Sequence, residues 1–265
     1  MKIIVPVKQV PESSDVKMDP ETGTIIRTGV ESVVNPLDLY ALETALRIRQ
    51  ERGGEITALS MGPPQANRVL KEALAMGADR SVLLTDRAFS GSDTWATSYT
   101  LSGGIKKLGD FDLIVTGERA TDGDTAQVGP GIAAWLGVPV LTYVSSIESI
   151  NDNEIILWRL TEDGYQKAAA PFPCVIGVLK EIGRPRLPTL KGKIASMQCE
   201  IISLGASDLE LEPEKLGLAG SPTRVTKIEN AKVARNGRVL AAHDDASLVA
   251  AVDELVLFLE EKGII

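Results

Sequence analysis

Histidine, cysteine and aromatic residues are scarce in this chain, and each shortage closes off a kind of chemistry. There is one histidine, His243, in a turn before the last helix, and no serine or cysteine nucleophile pattern surrounds it, so it does not read as a catalytic residue. The two cysteines, Cys174 and Cys199, lie too far apart for a metal-ligand spacing or a disulfide framework and read as two buried thiols in a reducing compartment. No His, Cys or carboxylate cluster has the spacing of a metal site. No apolar run approaches the roughly 20 residues of a membrane span. The apolar start, Ile3 to Val7, is cut short by Lys8 and Gln9 and reads as a first strand, not a signal peptide. A basic excess is also missing: a net charge of −8 leaves nothing to neutralise a nucleic-acid backbone. The expectation is a cytoplasmic protein that neither binds nucleic acid nor enters a membrane. Aromatics make up only 4%, whereas alanine, valine, leucine and isoleucine abound, as in parallel sheets covered by helices.

The first half alternates short apolar runs with helical patterns. Strands are predicted at Ile3–Val7, Ile56–Ser60, Ser81–Leu84, Leu113–Thr116 and Val138–Tyr143. Helices are predicted between them, several closed by glycine: Asn35-Pro36 opens one that Gly53-Gly54 stops, Gln65–Met76 ends at Gly77, and Asp93–Leu108 follows. Each crossover has the length of a right-handed βαβ unit, which predicts a doubly wound, mostly parallel α/β sheet of the adenine-nucleotide-binding, Rossmann-like kind. A turn-rich stretch from Pro11 to Gly29 reads as an excursion or small hairpin. Short antiparallel strands are expected at Ser146–Ile150, Glu154–Leu160 and Tyr165–Ala170, and Cys174–Leu179 reads as a strand returning to the main sheet. The region from Gly183 to Gly192 reads as an exposed loop stiffened by proline. Residues 195–243 have weak periodicity, and an amphipathic helix, Asp244–Lys262, closes the chain. The expected division is a nucleotide-binding domain over 1–193, followed by an arm and helix over 194–265.

The strongest functional signal is Gly117-Glu118-Arg119-Ala120-Thr121-Asp122-Gly123-Asp124-Thr125-Ala126-Gln127-Val128-Gly129-Pro130, between a predicted strand and a predicted helix. In a parallel α/β sheet such a loop turns backbone N–H groups and a helix N-terminus toward an anion. It is neither the Gly-x-x-x-x-Gly-Lys-Ser/Thr loop nor Gly-x-Gly-x-x-Gly. The plain alternative is an ordinary connection in which Asp124 caps a helix starting near Thr125. Asp122 and Asp124 would repel a diphosphate if they pointed at it. They are expected to cap or to bond ribose hydroxyls, while Thr125, Gln127 and N–H groups meet the phosphates. Other segments fall on the same rim: Pro6-Val7-Lys8, Asn35-Pro36-Leu37-Asp38, Ser60-Met61-Gly62, and Ser92-Asp93-Thr94, where an N-cap or a cofactor contact by Thr94 is open. With no acid–base machinery in sight, a bound redox cofactor would supply the chemistry.

These segments carry a family resemblance. Lys2 to Lys8, Asn35-Pro36, Met61-Gly62-Pro63, Ala73 to Arg80, Asp124 to Pro130 and Pro185-Arg186 before Thr189-Leu190 together resemble the β subunit of electron transfer flavoproteins, in order from residue 1 to about 200. The resemblance implies a heterodimer whose α subunit carries one FAD, while the β subunit binds a second adenine nucleotide, either AMP or, in the electron-bifurcating branch, a second FAD. Carried over by position, the nucleotide ligands are Pro6, Asn35, Pro36, Leu37, Asp38, Met61 and the loop from Gly117 to Val128. The stretch with Arg184, Pro185, Arg186 and Leu190 resembles the loop that docks acyl-CoA dehydrogenases. It departs from the usual form at Ile182-Gly183-Arg184 and at Leu187. The C-terminal arm and helix would wrap the α subunit.

The stretch Asn35 to Tyr40, Ser92-Asp93-Thr94 and the small Asp122-Gly123-Asp124-Thr125 turn look like the bifurcating branch. That branch implies hydride transfer from NADH to the β-bound FAD. Electrons then part to the α-bound FAD, and on to an acyl-CoA dehydrogenase, and to ferredoxin or flavodoxin. Two alternatives stand beside it: an electron carrier holding structural AMP, which takes electrons from acyl-CoA dehydrogenases without NADH, and a non-redox adenine-nucleotide-binding module.

Overall fold

Side chains of the short strands point alternately to two cores, and that alternation builds the layered architecture. On the first strand, β1 (Lys2–Pro6), Ile3 and Val5 enter one apolar cluster while Ile4 enters another on the opposite face. The strand Leu113–Gly117, β6 in chain order, repeats the division, with Leu113 and Val115 on one side and Ile114 on the other. A sheet apolar on both faces must be covered on both, which requires helices on each side.

The computed structural model describes residues 1–12, 32–224, 237 and 239–265, and the chain forms two compact units, Met1–Thr226 and Lys227–Ile265. In the first unit β1 is followed by a small antiparallel pair, β2 (Gln9–Pro11) and β3 (Ser32–Val34); residues 13–31, which hold nearly all of the Pro11–Gly29 stretch expected as an excursion or small hairpin, lie outside the described residues. Then come α1 (Pro36–Arg52), β4 (Glu55–Met61), α2 (Asn67–Met76), β5 (Arg80–Leu84), α3 (Thr94–Leu108), β6 (Leu113–Gly117) and α4 (Val128–Leu136). After these lie β7 (Val140–Ile150), β8 (Glu154–Thr161), β9 (Gly164–Pro171), β10 (Cys174–Val178), α5 (Leu190–Gln198), β11 (Ile202–Leu204) and α6 (Gly217–Gly220).

The main sheet has nine strands in the order β11-β5-β4-β1-β6-β10-β7-β8-β9. It is parallel from β11 to β7 and antiparallel through β7, β8 and β9. Leu42 and Leu46 of α1 and Val69 and Leu70 of α2 fill the core on one face. Leu101 and Ile105 of α3 and Ile132 of α4 fill the other. The predicted doubly wound α/β class is the observed one. From β1 the chain first steps outward to β4 and β5, then returns to place β6 on the other side of β1. The winding reverses between β1 and β6, so the crevice at their carboxyl ends is the topological switch point, where open α/β sheets bind ligands.

Several sequence expectations change. Of the two thiols expected to be buried, Cys174 is, in β10, whereas Cys199 follows the end of α5 and is exposed. Val138–Tyr143 and Ser146–Ile150 are one strand, β7, which the irregular register with β8 around Val144–Ser146 and Ile147–Ser149 bends rather than breaks. Leu190 is the first residue of α5, whose N-cap Thr189 accepts from the Gly192 N–H at 2.9 Å, so the exposed loop ends earlier than Gly192. Much of the stretch read as weakly periodic packs on the first unit. β11 pairs with β5, and Leu209 and Leu216 enter the second core. The rare aromatics help hold it: Trp95, Tyr99 and Trp135 cluster, the Tyr99 hydroxyl accepts from the Glu212 N–H at 3.0 Å, and Lys215 Nζ lies over the Tyr99 and Trp135 rings. The second unit contains α7 (Asp245–Glu261), capped reciprocally by Asp244 and Ser247, with Leu248, Val252 and Leu255 exposed.

Candidate functional site

The loop from Gly117 to Gln127 leaves β6 at the switch point and enters α4. Its path is fixed by α1. Asn35 occupies the N-cap position of α1, with Pro36 next as predicted, yet its side chain makes no cap. It reaches the loop instead: Nδ2 donates to the Arg119 carbonyl at 2.8 Å and Oδ1 accepts from the Thr121 N–H at 3.2 Å. One buried amide thus holds both sides of a turn. Gly117 is needed for close approach, because a Cβ there would stand 2.5 Å from Asp38 Oδ1 and 2.8 Å from the Leu37 carbonyl carbon.

The two loop aspartates are each matched by a cation. Lys8 Nζ lies 2.6 Å from Asp122 Oδ1, and Arg119 Nη1 lies 2.9 Å from Asp124 Oδ1, with Arg119 Nε also 3.6 Å from Glu118. The expectation that Asp124 caps the following helix is corrected. The helix starts at Val128, its N-cap is Gln127, and Asp124 sits upstream with a left-handed φ of 54°. An aspartate tolerates that conformation better than most residues, and the Arg119 pair anchors it. Gln127 makes no side-chain cap, so the first N–H groups of α4 are left for another acceptor. Ala126 has φ 55° and Gln127 is right-handed, an alternation that turns successive N–H groups to one side as an anion-binding concavity. Gly129 and Gly131 let α4 pack closely, since a Cβ on them would lie 2.8 Å from Thr116 Oγ1 and 2.5 Å from Ser98 Oγ.

Below the loop a small cleft is lined by Thr116, Gly117, Glu118, Ala126, Gly129, Pro130, Thr142, Tyr143 and Gly177. Among the described residues Tyr143 is the third non-glycine with left-handed φ, 58°, after Asp124 and Ala126; unusual backbone of this sort gathers at ligand sites. From the facing helix, Thr94 Oγ1 bonds Thr125 Oγ1 at 3.0 Å. Beside it Asp93 caps α3 through Ala96 N–H at 3.0 Å and accepts from both the Thr223 hydroxyl and N–H. Burial alone would raise the Asp93 carboxyl, but these bonds hold it below its ordinary range. Asp38 is the opposite case. It is buried and its Oδ2 accepts from the Lys8 N–H at 2.8 Å, but burial outweighs this and pushes its pKa up from 3.8 to about 7.

Asn35, Pro36, Leu37, Asp38, Thr94 and the whole loop are therefore brought together. Pro6 ends β1 beside them, paired with Leu59. Met61 ends β4 opposite Leu84 on the same rim, without a described contact to the loop. Arg184, Pro185, Arg186 and Leu190 lie elsewhere: Arg184 and Arg186 bond to Arg47 and Glu43 of α1, Pro185 lies between them in sequence, and Leu190 opens α5, which packs on α2. Sequence reasoning passed over the role of Lys8, whose place after Pro6 at the rim was its signal, and of Thr142, Tyr143 and Gly177, which carried no local signal. Among the described residues no group of His, Cys, Asp or Glu could hold a metal, and no helix is long and apolar enough to cross a membrane.

Fold and rim together define a doubly wound α/β protein with an anion-ready loop at its switch point. Comparison with known proteins makes this specific. Residues 22–209 match the electron transfer flavoprotein domain family. The chain is 45% identical over 266 residues, covering all of both sequences, to the electron transfer flavoprotein subunit beta of Thermoanaerobacterium thermosaccharolyticum. It is equally similar, again over both full lengths, to the caffeyl-CoA reductase-Etf complex subunit CarD of Acetobacterium woodii. It is 44% identical over 235 residues, 86% of this chain and 84% of the relative, to protein FixA of Azorhizobium caulinodans. The chain belongs to the electron transfer flavoprotein β subunit family.

Proposed function

We propose that this chain works as the β subunit of a heterodimer and binds the adenine-nucleotide portion of an FAD at the rim between β1 and β6. One observation carries the reading: Asn35 at the N-cap of α1, Thr94 at the start of α3 and Lys8 just past the end of β1 each send a side chain to the Gly117–Gln127 loop, and its two aspartates are paired with Lys8 and Arg119. The pairing answers the objection that a carboxylate-bearing loop would repel a diphosphate. With Asp122 and Asp124 neutralised, the N–H groups at the start of α4 set the local field.

In this reading the α4 N-terminus and the Ala126–Gln127 turn hold the phosphates. Thr94 and Thr125 offer hydroxyls at one side, and Pro6 and Met61 border the base. Asn35 keeps the loop open at its width, and Gly117 lets it lie close to α1. The bound FAD would supply the redox chemistry, taking hydride from NADH and passing electrons to the α subunit's FAD, and so to an acyl-CoA dehydrogenase, and to ferredoxin or flavodoxin. The chain's own task is to place that flavin and exclude water around it. The similarity to a subunit of a caffeyl-CoA reductase-Etf complex supports this branch over the AMP-holding one. The exposed apolar side of α7 supports an α-subunit partner for the C-terminal unit, and the proposed functional division of the chain remains 1–193 and 194–265, although residues up to Thr226 cluster with the first unit.

The test is the FAD and AMP content of the αβ complex after co-expression. Two FAD, no AMP and bleaching by NADH are expected. One FAD with one AMP and no response to NADH would assign the chain to the AMP-holding branch and remove hydride chemistry from this site. A colourless complex would remove redox function altogether.

A further inference from the structure

Helix α1 carries a buried carboxylate that the nucleotide rim does not use. Glu43 is 5% exposed, and it faces the segment that leads into α5. Arg186 grips it three times: its N–H donates to Oε2 at 3.1 Å, Nε to Oε2 at 2.7 Å, and Nη2 to Oε1 at 3.1 Å. Arg47 donates to the same carboxylate through Nε at 2.9 Å and reaches the Ile182 and Arg184 carbonyls at 3.3 and 3.2 Å. Gln50 Oε1 accepts a further bond from Arg186 at 3.3 Å. Gly183, at φ 147°, passes so close that a Cβ would lie 2.3 Å from Arg47 Nη1. Burial alone would raise the Glu43 carboxyl, but the Arg186 and then the Arg47 hydrogen bonds keep it below the usual carboxylate range.

The segment so held displays an unusual surface. Leu187 and Leu190 are 86% and 76% exposed, and Ile194 and Met197 continue the row at helical spacing along α5. Lys180, Arg184, Lys191 and Lys193 are exposed around it, and Glu181 is the one acid among residues 180–198, in a chain whose net charge is −8. A complementary partner therefore presents an apolar socket ringed by carboxylates.

We propose that Glu43 is a positioning residue, clasping Arg186 and Arg47 so that Leu187 and Leu190 project as a preformed anchor for an acid-ringed protein partner. Rigid presentation lowers the ordering cost of association, so the clasp acts on affinity and not on the redox step. The inference rests on reading this segment as the face that meets the dehydrogenase.

Three variants of the αβ complex test it: Glu43→Gln, Arg186→Lys and Leu190→Ala, each assayed with a purified acyl-CoA dehydrogenase and by amide hydrogen exchange over residues 183–190. For Glu43→Gln, exchange rises about tenfold or more, the scale of losing a charge-assisted bond. The KM for the dehydrogenase rises with kcat and flavin content unchanged. Arg186→Lys, which keeps the charge but not the fork, gives intermediate rises. Unchanged exchange in Glu43→Gln overturns the proposal. So does faster exchange with an unchanged KM, provided Leu190→Ala raises that KM. An unchanged KM in Leu190→Ala instead refutes the docking reading itself and leaves exchange to decide whether the clasp exists. Should Glu43→Gln fail to fold, Arg47→Met cuts only the Arg47 bonds, and no rise in exchange there overturns the clasp.

Discussion

Replacing Asp38 by asparagine removes a buried ionisable group without removing its hydrogen bond. The carboxyl lies under the loop, 7% exposed, with Oδ2 accepting the Lys8 N–H, an acceptor role that an amide oxygen can take over. Burial is the largest influence on it. The Lys8 N–H, the Asn35 side chain and the Lys8 charge oppose that influence, while Asp122 adds to it, and the result is a pKa of about 7 in place of 3.8. The folded chain thus binds this proton more tightly than the unfolded chain. Across the window from 3.8 to about 7 the native state holds more protons, and stability falls as pH rises. Between about pH 5 and about pH 8 the loss is about 2–3 kcal/mol, at about 1.4 kcal/mol per pH unit over the part of the window that is crossed. The asparagine variant lacks this slope. Parallel urea titrations of wild type and Asp38→Asn, followed by tryptophan fluorescence, should show the variant gaining about 2–3 kcal/mol on wild type from the lower pH to the higher. A difference that does not change with pH would show that Asp38 is ionised in the folded chain and that the burial argument fails.

Two further outcomes follow from the rim. Gly117→Ala drives a methyl into the Leu37 carbonyl and Asp38 Oδ1, and should cost about 1–3 kcal/mol together with flavin retention; a melting temperature and flavin content equal to wild type would refute the close packing. Lys8→Met breaks an ion pair whose side chains are 47% and 32% exposed, so its stability cost stays under about 1 kcal/mol, yet it bares Asp122 toward the ligand and lowers nucleotide content. Adding Asp122→Asn should restore that content; if it does not, Lys8 acts by touching the nucleotide itself.

The alternation of strands and helices was legible because local rules agree with the fold. The parallel strands β1, β4, β5, β6 and β10 are short and mostly apolar, and α1, α2, α3 and α4 end at Gly53, Gly77, Gly109 and Gly137. The loop at the switch point was legible for the same reason. What the loop residues do was not. The Arg119–Asp124 pair joins positions of irregular backbone, where no helical or strand period indicates which side chains meet. Glu43 is mid-helix, where a glutamate ordinarily faces water, and it is buried because of Arg186, 143 positions away. Strand order is a long-range property too. Nothing local to Cys174–Val178 indicates that this strand lies between β6 and β7 and not at the edge.

That placement of β10 has a consequence for how the chain is made. Strand β6, from which the Gly117–Gln127 loop springs, has β1 on one side and β10 on the other, and its Thr116 hydroxyl bonds the Ile176 carbonyl across 60 positions of sequence. A ribosome adding about 5–20 residues per second leaves that flank of β6 open for about 3–12 s after its own synthesis. During the interval Leu113, Ile114 and Val115 present an unpaired apolar edge at the future centre of the sheet, the kind of surface that recruits chaperones or neighbouring chains. The Gly117–Gln127 loop therefore reaches its final shape only after the β8–β9 hairpin has been synthesised, and nascent chains stalled before Cys174 should be sticky and, on the proposed function, unable to retain nucleotide.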